Sequence, residues 1–195
     1  MRSRVVGSRT VVRIAYRQLP PLTVLYARSM GPYQDSSREA WRLMNGWLDQ
    51  RQMRGRVKQA YGYLRDDPKR TAPDLLRYDA CVPLTFGLVP DADIGRQTLP
   101  GGAYAVHIHT GSYAGTGELL SQLHRDIVPR RGLVVDCERP FVAIYRNDPL
   151  VTREMHRRME LCVPVLPVRM PLATNDDVAA ESDISVIVRS VAGWV

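Results

Sequence analysis

The feature that most constrains this chain is that it carries one pattern twice. Residues 77–84, Arg-Tyr-Asp-Ala-Cys-Val-Pro-Leu, return as Arg-Met-Glu-Leu-Cys-Val-Pro-Val at 158–165, so Cys81 and Cys162 stand 81 positions apart. The same shift carries Arg65-Asp66-Asp67-Pro68 onto Arg146-Asn147-Asp148-Pro149. Upstream, Gly31-Pro32-Tyr33 matches Gly111-Ser112-Tyr113 at a shift of 80, one residue of loop length being the difference. Landmarks in one order identify a duplicated module. The boundary falls near residues 87–93, which gives module one over 11–86 and module two over 94–168 of a domain spanning 11–170.

Each copy has the same grammar. A β-rich run comes first, Leu22 to Arg28 and Ala103 to His109, followed by a Gly-x-Tyr turn. A helix follows. Over 35–52 the apolar positions Ala40, Trp41, Met44, Trp47 and Leu48 recur at three- and four-residue spacing, with Asp35, Ser36 and Ser37 as N-cap candidates. Over 115–128 the corresponding residues are Leu119, Leu120, Leu123, Ile127 and Val128, and Pro129 and Gly132 end the helix. Two strands close each copy, 57–65 with 75–85 and 140–146 with 157–166, around the Asp-Pro turn. The predicted fold is therefore α+β: two tandem pseudo-symmetric βαββ-like modules, with antiparallel sheets and one main helix each. Such modules can set their bare sheet faces, or adjoining sheet edges, around a shared groove. Residues 171–195 form a C-terminal extension, polar to Ser182 and weakly alternating from Asp183 to Val191.

Composition narrows the function classes. The 195 residues are 45% hydrophobic and 24% charged, an ordinary globular balance. No apolar run is long enough for a membrane span, and the basic N-terminus lacks the apolar stretch of a secretory leader. Three cysteines without a C-x-x-C pair fit reduced thiols and a cytoplasmic protein. The net charge of +7 suggests nucleic acid, but the basic residues are scattered and no nucleic-acid-binding signature accompanies them. No direct nucleic-acid contact is expected.

Strand alternation sorts the side chains. Met159, Leu161, Val163 and Val165 share the face that suits the helix, as do Tyr78, Ala80, Val82 and Leu84. Glu160 and Asp79 then occupy equivalent positions on the other face, each two residues before a cysteine. An acid there needs a partner. Either a neighbouring Arg supplies it, or the acid lines a ligand cleft. On the cleft reading, Tyr104, Val106 and Ile108 face the helix while His107 and His109 share the cleft with Phe141, Ala143 and Tyr145. An acid, a histidine and aromatic rings on one concave surface suit a cationic or aromatic organic molecule. His107-x-His109 lacks further metal-ligand spacing, so neither a metal nor any other cofactor is expected.

These residues also resemble a known family. Gly-Gly-x-Tyr-x-Val-x-x-His-x-Gly-x-Tyr (101–113), Arg-Pro-x-x-x-x-Tyr-x-x-Asp-Pro (139–149) and Glu-x-Cys-Val-Pro-Val (160–165) resemble the GyrI-like effector-binding domain, and residues 77–84 resemble its first half. The resemblance implies a ligand groove between two modules with an acid at its centre, matched here by Glu160. Tyr113 and Tyr145 match aromatic positions near the groove. Tyr33 and Asp79 are their first-half counterparts by the internal repeat. Such domains serve as sensors of AraC- and MerR-type multidrug regulators, and the family's free-standing members include DNA gyrase inhibitors and hydrolases of cyclopropane-bearing compounds. About ten residues precede the first strand, so the DNA-binding domain that such regulators carry before the sensor is not expected in this sequence.

Three functions follow. The first is an effector-binding module for small aromatic or cationic molecules, in transcription regulation or drug and toxin response, with Glu160, Tyr145, Tyr113, Phe141, His109, Tyr33 and Asp79 as ligand-binding candidates. The second is a hydrolase with Glu160 as general base and Tyr145 assisting. The third is contact with a protein partner, DNA gyrase or a separate regulator.

Overall fold

The computed structural model describes residues 12–84, 88–91 and 93–167; the 171–195 extension lies outside them. Its elements are β1 (Ala15–Leu19), β2 (Leu22–Met30), α1 (Tyr33–Gln50), β3 (Ala60–Leu64), β4 (Arg77–Pro83), β5 (Ile94–Leu99), β6 (Gly102–Thr110), α2 (Thr116–Gln122), α3 (Val128–Arg130), β7 (Phe141–Tyr145) and β8 (Arg158–Pro164). A π-helical stretch, Leu123–Ile127, joins α2 to α3. The eight strands form one antiparallel sheet in the order β1-β6-β8-β7-β3-β4-β2-β5. The α+β fold with two pseudo-symmetric halves is thus realised by joining sheet edges: β3 of the first copy pairs with β7 of the second.

The sheet holds two strands that hydrophobic patterning alone does not reveal. Each copy begins with an additional strand, and these two are exchanged: β1 pairs with β6, and β5 pairs with β2. They obey the 80-residue shift, since Leu19-Pro20 maps onto Leu99-Pro100 and Arg17 onto Gln97. Both are short and polar at intervals, which hides their periodicity.

The repeated motifs now have a physical reason. Gly31 and Gly111 have φ of +122° and +111°, a conformation that disfavours a side chain. Their amides donate to the carbonyls of Leu76 and Arg157, both at 2.9 Å. Asp66 and Asn147 each accept the first amide of the returning strand, from Arg77 at 2.8 Å and Arg158 at 3.0 Å. The preceding arginines, Arg65 and Arg146, turn to the sheet face that carries Asp79 and Glu160.

Helix α1 starts two residues before its expected N-cap candidates. Pro32 is the cap, with φ of −49°, and Ser36 donates back to the Pro32 carbonyl at 3.1 Å. One face of the sheet packs on the helices: Ala80 and Val82 against Met44 and Leu48 of α1, and Leu161 and Val163 against Leu120 and Leu123 of the second helical segment. The opposite face forms a third core containing Val24, Tyr63, Cys81, Leu99, Tyr104, Val106 and Cys162.

On that opposite face the acids are paired. Asp79 is fully buried and holds Arg28 (2.6 and 2.9 Å), Arg65 (2.6 Å) and Gln97 (3.0 Å). Glu160 holds Arg17 (3.1 Å to each oxygen) and Arg146 (2.8 Å). Burial raises the Asp79 pKa, but the hydrogen bonds from Arg28, Arg65 and Gln97 outweigh it and leave the carboxyl below its ordinary range.

Removing a buried acid strands its guanidinium partners. Asp79→Ala should cost about 2–4 kcal/mol in urea unfolding, the lower part of the range reflecting partly exposed arginines. Because the native pKa lies below the unfolded one, this stability is full above about pH 4 and is lost as pH falls through the lower native value. Asp79→Asn should therefore unfold with a shallower acid dependence than the wild type, measured by circular dichroism.

Candidate functional site

The pseudo-two-fold centre of the sheet is deliberately low. Gly62 of β3 lies opposite Ala143 of β7, and the 81-residue shift maps one onto the other. Small side chains on the central strand pair, with α1 on one side and the α2 segment on the other, leave a cavity of about 870 Å³ over the helical face. This is the size of an organic-ligand pocket. Tyr33, Trp41 and Leu48 of α1 line one wall, and residues 112–118 with Leu120 the other. Leu64, Tyr78, Tyr145 and Leu161 contribute to the floor.

An aromatic cluster dominates this space. The rings of Trp41 and Tyr145 meet edge-on at 5.4 Å, and those of Tyr113 and Tyr145 lie 5.6 Å apart. The Trp41 indole donates to the Tyr78 hydroxyl at 3.2 Å, and the Tyr78 and Tyr145 hydroxyls share a bond of 3.0 Å. The cluster joins both copies, since Trp41 and Tyr78 come from the first and Tyr113 and Tyr145 from the second. Gly62 makes it possible: a Cβ there would stand 2.0 Å from the Tyr78 hydroxyl and 3.3 Å from that of Tyr145.

Burial raises the pKa of every phenol in the cluster. Tyr78 rises far above its ordinary value, Tyr145 is raised despite its bonds to Tyr78 and Trp41, and Tyr113 reaches about 12. These rings are neutral at physiological pH and offer apolar faces and hydroxyl dipoles. The Tyr113 hydroxyl is buried with no partner among the described residues. Tyr33 is fixed instead, donating to the Asp66 carbonyl at 2.6 Å and accepting the Asp66 amide at 2.9 Å.

The structure divides the residues singled out from sequence. Tyr145, Tyr113 and Tyr33 line the cavity together. Glu160 and Asp79 do not; they lie on the opposite face of the sheet, each held by arginines. Phe141 is on the helical face but packs edge-on against His124 at 5.1 Å, outside the lining. His109 is also on the helical face, its Nε2–H donating to the Ser112 carbonyl at 2.7 Å beside the cavity wall. Strands β6 and β7 therefore both face the other way from the expectation, Phe141, Ala143 and Tyr145 packing on the helical side with Leu161 and Met159. The register sets Val106 opposite Cys162 and Ile108 opposite Glu160, so Tyr104, Val106 and Ile108 lie on the acid face. Cys81 and Cys162 are buried there, and burial pushes both thiols well up. Glu160 and Tyr145 consequently share no space in which to act on one substrate.

Tyr78 reads from sequence only as core, and Trp41 as helix core able to reach the groove edge. The signal for their role was Gly62, a glycine within a strand that returns as Ala143. Among the described residues no group of three or more His, Cys, Asp or Glu side chains is placed to hold a metal. No described helix is long and apolar enough to cross a membrane.

Comparison with known proteins places this geometry in context. The family model described as a GyrI-like small molecule binding domain matches residues 14–166. A Bacillus subtilis SPbeta prophage-derived protein, YosT, named as a transcriptional regulator, is 30% identical over 168 residues, covering 81% of this chain and all of that protein. DNA gyrase inhibitor 2 of Dickeya dadantii is 32% identical over 94 residues, 47% of this chain and 58% of the inhibitor. Among solved structures, the EcmrR C-terminal domain superposes with a TM-score of 0.62 at 16% identity, covering 82% of this chain and all of that domain.

Gly62→Ala should break the aromatic cluster by displacing the Tyr78 ring. The expected cost is about 1–3 kcal/mol of stability, with a shift in tryptophan emission as Trp41 loses its hydroxyl partner. An unchanged emission spectrum and melting temperature would show that the floor has room for the methyl group.

Proposed function

This chain belongs to the GyrI-like small-molecule-binding family, and from that premise we propose that it takes a small, flat aromatic molecule into the cavity between α1 and α2, as an effector-binding domain in transcription regulation or the response to a drug or toxin. The observation that carries the reading is the cluster of Trp41, Tyr78, Tyr113 and Tyr145 at the junction of the two copies. Ring faces around a space of about 870 Å³ favour a planar ligand by burial and by edge-to-face contact. Because the cluster draws on both copies, an occupied cavity would couple the two halves of the sheet, which is the property a sensor needs.

A protein-contact role of the kind named for the Dickeya dadantii relative is the second reading, supported by that partial match alone. Stoichiometric inhibition of DNA gyrase supercoiling, unaffected by filling the cavity, would favour it.

The ligand reading is tested by calorimetry with a panel of two- and three-ring aromatics on the wild type and on Ala60→Trp, which fills the cavity from a half-buried floor position. Saturable binding that weakens at least about tenfold in the variant is expected, with ligand at a hundred times Kd adding about 2.7 kcal/mol to wild-type stability. Equal affinity for both proteins would put the binding site elsewhere.

A further inference from the structure

The charges around this cavity point to the electrostatic class of its ligand. Six charged residues among those described line it: Arg38, Arg54, Lys58 and Arg157 are basic, and Glu118 and Asp148 are acidic. Most of them are already engaged. Arg38 lies 3.8 Å from Asp35, Arg54 is 3.1 Å from Asp49 and 3.7 Å from Asp148, and Glu118 is 3.8 Å from Arg125. Two cations are left over. Arg157 is half-buried over the Tyr113 ring at 5.8 Å, and among the described residues its one side-chain hydrogen bond runs from Nε to the Thr152 carbonyl at 3.3 Å. Lys58 is exposed on the loop before β3. Neither has a carboxylate within 4.0 Å among the described residues.

The floor supplies no counter-charge for a cation. Its polar groups are the Tyr78 and Tyr145 phenols, the lining acids Glu118 and Asp148 lie beside Arg125 and Arg54, and the two acids of the sheet, Asp79 and Glu160, are on the far face with their own arginines. A cationic aromatic in this cavity would meet ring faces but also Arg157 and Lys58, two lining cations with no carboxylate within 4.0 Å among the described residues. An anionic aromatic would place its rings in the same cluster and its charge against Arg157 and Lys58. A guanidinium already stacked on an aromatic ring keeps donors free for a planar carboxylate.

We infer that the cavity selects an aromatic anion, its ring system held by Trp41, Tyr113 and Tyr145 and its carboxylate or equivalent acidic group held by Arg157 and Lys58. This rests on the ligand reading above and specifies the ligand's charge.

The test is calorimetry with three ligands on one ring system: 2-naphthoate, 2-naphthalenemethanol and (2-naphthylmethyl)trimethylammonium. The wild type should bind the carboxylate about tenfold more tightly than the ammonium, with added salt narrowing the gap. In Lys58→Gln/Arg157→Gln the ratio of carboxylate to alcohol affinity should fall to near one. Ammonium binding as tight as carboxylate binding, or a carboxylate preference that survives the double substitution, would overturn the charge assignment and leave the cavity reading intact. Failure of all three ligands to bind would overturn the cavity reading itself, and the charge assignment with it.

Discussion

The structure depends on two buried carboxylates whose partners come from exchanged strands. Asp79 takes Gln97 from β5, and Glu160 takes Arg17 from β1, at positions related by the 80-residue shift. In each case the exchanged strand belongs to the other copy. A charge at 0% exposure is tolerable only with its hydrogen bonds made. The register of β1 on β6 and of β5 on β2 is therefore tied to satisfying the acids, because a one-residue slip would turn Arg17 or Gln97 to the wrong face. The exchange also welds the copies into one sheet, with β3 and β7 at its centre.

That centre decides where the cavity lies. Large side chains surround Gly62 and Ala143, and the two helical segments cannot close over so low a floor. The duplication makes the floor nearly symmetric, but the walls are not. Helix α1 runs 18 residues and brings Trp41, whereas α2 runs seven residues before the π-helical stretch. A symmetric scaffold thus presents an asymmetric box, with aromatic walls drawn from both sides and, in its lining, Arg157 and Lys58 without a carboxylate partner among the described residues.

Much of this was legible in the sequence, and the failures have physical causes. The faces of β4 and β8 could be read because Asp79 and Glu160 break an apolar alternation at equivalent positions. The tyrosines that follow Gly31 and Gly111 could be read because the repeat aligns them. Strand β6 reads the wrong way round, because Tyr104 and Val106 on one face and Ala103 and Ala105 on the other are all apolar. Only pairing with β8 decides between them. The acids were associated with a cleft because a carboxylate in mid-strand can be satisfied by a ligand or by arginine. Which one applies depends on Arg17, 143 residues away from Glu160 in sequence. The family's expected central acid and this chain's cavity thus lie on different faces of the sheet.

The most direct test is a crystal structure with an aromatic ligand bound. The ligand is expected between α1 and the α2 segment, in contact with Trp41 and Tyr145, with the Arg17 and Arg146 pairs to Glu160 undisturbed. A ligand found against Glu160 on the opposite face, with Arg17 displaced, would contradict it.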